Sequence, residues 1–121
     1  MNVEELRDYC LSLGADVEER FPFAAFKGGQ SVLVFYVEGH MFCFFDIDVF
    51  EVVSVKCQPD RIVELREAYP YLGNPYNESP RHWLGITIAD CPDTHARQLI
   101  ANSYQIVKEK YTPRSRRKTN P

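Results

Sequence analysis

Three histidines, four cysteines and a scatter of carboxylates are the residues of this chain that could do chemistry, and their spacing limits what that chemistry is. His40, His82 and His95 form no HxH or HxxxH pair, so they lack the close ligand spacing of a tetrahedral metal site. Cys10, Cys43, Cys57 and Cys91 include no CxxC, so neither a zinc site nor a thioredoxin-like motif is indicated. Cys57 with His82 is the one nucleophile-and-base pairing to consider, since a reactive thiol needs a basic neighbour in space and both residues flank the same helix and loop. Gly28-Gly29 lacks the GxGxxG or GxxxxGKS/T spacing of a phosphate-cradling loop. Asp46 and Asp48 suit a solvated turn better than an acid/base pair. No cofactor is implied, and the chain is expected not to be an enzyme.

Charge points elsewhere. Residues 108–118 hold Lys108, Lys110, Arg114, Arg116, Arg117 and Lys118 against Glu109 alone, a net +5, so the chain's net charge of -3 leaves -8 on the rest. An acidic body with a basic C-terminal arm results. Arg114, Arg116, Arg117 and Lys118 could neutralise about three or four phosphates, which gives a weak, salt-sensitive and sequence-independent attraction to nucleic acid. The ordinary alternative is a solubilising terminus. The acidic body opposes DNA unless its cations cluster, and no motif for reading bases is present.

The elements that must position these residues follow from periodicity. The 121 residues suit one domain, expected over 1–111, with 112–121 a basic tail expected to be disordered for want of an apolar anchor. No stretch approaches the roughly 18 apolar residues of a membrane span, and the acidic, amphipathic N-terminus does not resemble a signal peptide. A cytoplasmic protein with no membrane partner is the expectation. Asn2 and Glu5 frame a capping box for a helix whose apolar face is Val3, Leu6, Cys10 and Leu13. A polar link over 15–20 follows. Ser31–Val37, Met41–Phe45, Glu51–Lys56 and Trp83–Ala89 read as strands; the first two are apolar on nearly every residue, as covered central strands are. Pro59 opens a second helix, to about Tyr69, with Ile62, Leu65 and Tyr69 as its stripe. A third, over about 93–111, buries Leu99, Ile100, Ser103, Ile106 and Val107. The cysteines read as reduced core residues. The order α-β-β-β-α-β-α gives an α+β two-layer sandwich, a mainly antiparallel sheet with helices on one face.

Several segments together carry a resemblance. Lys56-Cys57-x-Pro59, Leu65-Arg66-x-x-Tyr69 and His82-Trp83 occur in that order, after Phe21-Pro22-Phe23 and Met41-Phe42 and before Ser103-Tyr104-Gln105-Ile106-Val107. This succession resembles the MmcQ/YjbR family of small bacterial proteins over nearly the whole chain except the tail. The resemblance implies a compact fold akin in shape to frataxin-like and secretion-chaperone-like domains. Family members are generally labelled DNA-binding, which implies a surface near the hairpin and the His-Trp loop, with Lys56, Arg81, His82 and Trp83 as its candidates. Each has an ordinary reading too: an indole closing a core edge, a solvent-facing strand lysine. His40 stands where the family usually has lysine. Tyr76-Asn77-Glu78-Ser79-Pro80-Arg81 replaces a family loop that carries histidine and lysines, which reduces the basic surface. Three functions remain open. The first is non-enzymatic, weak and largely sequence-independent binding of DNA phosphates. The second is a protein-interaction adaptor using a sheet face or an aromatic loop of Tyr69, Tyr71, Tyr76 and Trp83. The third is a small-molecule binder or enzyme built on His82 with Cys57 or a carboxylate.

Overall fold

The computed structural model describes residues 1–113, and Arg114, Arg116, Arg117 and Lys118 lie outside the described residues. The chain runs α1 (Val3–Ser12), β1 (Glu18–Arg20), β2 (Val32–Val37), β3 (His40–Asp46), β4 (Val52–Lys56), α2 (Pro59–Ala68), β5 (Leu72–Gly73), β6 (Trp83–Thr87) and α3 (Asp93–Tyr111). The six strands make one sheet in the order β1-β2-β3-β4-β6-β5, antiparallel at every pairing. This is the expected α+β fold, with two additions: β1 and β5 extend the sheet at its two edges. β1 reads Glu-Glu-Arg and was expected as a link. Its middle residue Glu19 faces the helix layer, where Arg7 of α1 meets it as an ion pair, and pairing with β2 prevails over poor strand propensity. β5 is two residues long, too short for any alternation to register.

Local chemistry explains the major elements. At the start of α1, the Glu5 N–H donates to Asn2 Oδ1 at 2.8 Å and the Asn2 N–H to Glu5 Oε1 at 3.2 Å, closing the capping box. The β2–β3 hairpin turns on Glu38 and Gly39, both at positive φ (51° and 75°), the conformation a two-residue turn needs to match strand twist. Gly14 is fixed by crowding, since a Cβ there would lie 2.4 Å from the Tyr104 hydroxyl.

A β-bulge lets three residues of the run MFCFF face the helix side. Phe35 pairs with Cys43 and Tyr36 with Met41, so Phe42 is the unpaired extra residue. Phe42, Cys43 and Phe45 all join the helix-side core, while Phe44 packs on the opposite face with Val32, Val34 and Trp83. Beyond Cys43↔Val55 the β3–β4 ladder stops. Ser103 of α3, fully buried, fills the gap: its hydroxyl donates to the Phe42 carbonyl and accepts from the Lys56 N–H at 2.8 Å. α3 presses Ala96, Leu99, Ile100, Tyr104 and Val107 into the core. Tyr104 takes the place expected for Ile106 because its ring meets Phe42 edge-on at 5.5 Å while its hydroxyl reaches Asp16 at 2.7 Å. On α2, Ile62 is buried but Tyr69 is 38% exposed, so the apolar stripe there is shorter than expected.

Ser103→Ala should cost about 1–3 kcal/mol, because it strands a buried N–H and a buried carbonyl at once. Urea unfolding measures this, and a loss within error of zero would contradict the bridging role.

Candidate cationic and aromatic interface

Four chain segments end together at one end of the sheet. Lys56 closes β4, Trp83 opens β6 as its ladder partner, His40 opens β3 and Tyr111 closes α3. The Tyr111 and His40 rings stack with centroids 3.4 Å apart and planes within 8°. Lys56 Nζ lies 5.8 Å from the Trp83 ring centre and 5.9 Å from that of Tyr111, and Lys110 Nζ lies 5.3 Å from Tyr111. Ring faces attract ammonium groups at these separations. Arg7, Arg20 and Lys108 each meet a carboxylate; Lys56 forms no ion pair among the described residues.

The sequence-derived candidates divide. Lys56 and Trp83 come together, but the indole is only 5% exposed and packs edge-on against Phe44 at 5.3 Å. It therefore supports Lys56 from below and offers no free face. Arg81 lines a shallow cleft against α2 with Asp60, Arg66 and Glu67. His82 is exposed; its backbone accepts from the Cys57 N–H at 3.1 Å and donates to Ser79. His40 and Tyr111 were not among the candidates. A signal for His40 did exist, since it stands where the resembling family carries lysine. Tyr111 looked only like the last residue of a helix.

The other chemistry separates cleanly. All four cysteines are buried free thiols. Burial raises the Cys57 thiol above its ordinary pKa and pushes Cys91 up to about 11, the reverse of what activates a nucleophile. Among the described residues no three His, Cys, Asp or Glu side chains gather as a metal site, and no helix is long and apolar enough to cross a membrane. The expected aromatic loop does not form one patch. Trp83 is buried on one face of the sheet, whereas Tyr71 donates to or accepts from His95 Nδ1 at 2.6 Å and packs with Tyr69 beside it. Tyr76 stands apart from that pair, 58% exposed. With Phe23 and Phe26 it borders a groove of about 350 Å³ whose floor is Val32, Met41 and Phe44.

Asp46 is a structural carboxylate. It accepts from the Ser31 hydroxyl at 2.7 Å and from the N–H groups of Asp48 and Val49 at 2.8 and 3.1 Å. The Ser31 hydrogen bond, the largest influence, holds its pKa below the ordinary carboxylate value; burial opposes it, and the Val49 and Asp48 N–H groups add to the lowering. A depressed folded pKa adds stability that is present above the unfolded value and lost as pH falls through the folded one. Urea midpoints taken from about pH 6 down to about pH 3 should therefore fall more steeply for the native chain than for Asp46→Asn. Parallel declines would contradict this assignment.

Comparison with known proteins bears on the fold. The YjbR family model matches residues 12–106. Among solved structures, the Deinococcus radiodurans protein DR2400, with its DUF419 domain, aligns at TM-score 0.82 and 30% identity, over 94% of this chain and 83% of its own. A Pseudomonas syringae protein aligns at TM-score 0.73 and 20% identity, over 88% of this chain and 99% of its own, a likeness of fold alone. No curated protein matches the chain.

Proposed function

The chain belongs to the YjbR family, and from that premise we propose that it is a non-enzymatic nucleic-acid-binding protein that holds phosphates weakly and with little regard to sequence. The observation that carries this reading is Lys56: an ammonium flanked by the Trp83 and Tyr111 rings, without a carboxylate partner among the described residues. Phosphate contacts of this kind position a protein on a nucleic acid without reading bases. The basic run of Arg114, Arg116, Arg117 and Lys118 begins three residues beyond Tyr111, so the same end of the sheet leads into the arm. Many of the acidic residues lie on the helices: Glu4, Glu5 and Asp8 on α1, and Asp60, Glu64 and Glu67 on α2. Arg81 and His82 are lesser contributors in this reading.

The adaptor reading keeps one observation in its favour, the apolar groove between Phe26 and Tyr76, since large exposed apolar surface marks interaction sites.

Fluorescence anisotropy of a labelled DNA duplex, titrated across a salt series, tests the proposal. Affinity should fall linearly on a log–log plot. Replacing Arg114, Arg116, Arg117 and Lys118 with serine should flatten the slope by about 3–4, and Lys56→Ala by about 1. Unchanged slopes in both variants would sink the phosphate mechanism.

A further inference from the structure

We propose that the face of the sheet turned away from the helices is a stacking platform for single-stranded nucleic acid, with Phe26, Phe23 and Tyr76 receiving unpaired bases. This rests on the phosphate-binding reading above and gives it a substrate class. Phe26 is 65% exposed, Tyr76 58% and Phe23 38%, and they come from two different loops that meet over a fixed apolar floor. The loop bearing Tyr76 is anchored to the sheet. The Tyr76 N–H donates to the fully buried Ser54 hydroxyl at 3.0 Å. A Cβ on Gly85 would lie 2.0 Å from the Asn74 carbonyl, so only glycine lets the loop cross there.

The cationic cluster on one side of the groove argues for nucleic acid over an apolar peptide; the side beyond Val32, Phe44 and Tyr76 carries Asp46 and Glu51. The floor of the groove runs into the cationic cluster: Phe44 meets Trp83 at 5.3 Å, and Trp83 lies beneath Lys56. Met41, also in the floor, follows His40 of the ring stack in sequence. Lys27 adds a cation from the loop that carries Phe26, while Glu78 stands on the loop that carries Tyr76, so the sugar–phosphate backbone passes on the Lys27 side. Rings stack on any base, which agrees with a site that has no motif for reading base edges. The faces of bases inside a duplex are already stacked on one another, so these rings can be used only by unpaired bases.

The test is binding of a fluorescein-labelled dT oligomer and of a duplex of equal length to the full chain and its Phe26→Ala, Tyr76→Ala and Phe26→Tyr variants. The native chain should prefer the single strand. Each alanine variant should lose about 5- to 150-fold on the dT oligomer with little change on the duplex, and Phe26→Tyr should retain affinity. Equal binding of both nucleic acids, unaffected by either alanine variant, would overturn the platform and leave the phosphate reading standing. Absence of binding to both would overturn the two together. Capture of a labelled amphipathic peptide that Phe26→Ala abolishes, with oligomer binding intact, would assign the groove to protein and overturn the proposal.

Discussion

One buried hydroxyl holds this fold in register. Ser103 reaches from α3 into the place where β3 and β4 part, and satisfies one carbonyl and one N–H that the sheet leaves unpaired. Unpaired buried backbone groups are costly, so the bulge at Phe42 and the seating of α3 stabilise each other. Without the serine the bulge would leave a carbonyl and an N–H unpaired in a dry core. With it, β3 can send Phe42, Cys43 and Phe45 into the helix-side core and still offer Phe44 to the other face.

The same contact reaches the candidate interface. Eight residues separate Ser103 from Tyr111, about 12 Å of helix at about 1.5 Å per residue. Once Ser103 is docked, Tyr104 meets Phe42 and Asp16 one residue later, and Lys108 reaches Asp16 at 3.2 Å. The last turn then sets the Tyr111 ring on His40 and beside Lys56. A helix shifted by one residue would turn Tyr111 by about 100° at 3.6 residues per turn and dissolve the cluster. Stability and the geometry of the proposed interface are thus linked through helix register.

Much of this was legible in the sequence. The capping box, the four apolar strands and the long amphipathic α3 are short-range signals, and each has its expected counterpart. β1 was not legible, because Glu-Glu-Arg has poor strand propensity and its pairing with β2 is a tertiary contact. The bulge was not either: MFCFF reads as a strand covered on both faces, and only the pairing shows that one residue is extra. Lys56 and Trp83 were found through family resemblance, and the ladder then placed them side by side. The His40–Tyr111 stack joins residues 71 positions apart, which no local pattern encodes. The groove was hidden for a similar reason: Tyr76 was singled out only with the aromatic loop, and no local pattern places it beside Phe23 and Phe26 on the outer face.

The central claim is that nucleic acid meets the protein at the end of the sheet where Lys56, Tyr111 and His40 converge. Backbone amide shifts of the isotopically labelled full chain, followed during titration with a short DNA, test it most directly. The largest changes should fall at His40, Lys56, Lys110 and Tyr111, while the outer surface of α2 around Glu64 and Glu67 stays still. Changes centred on the helical face, with that cluster unmoved, would contradict it.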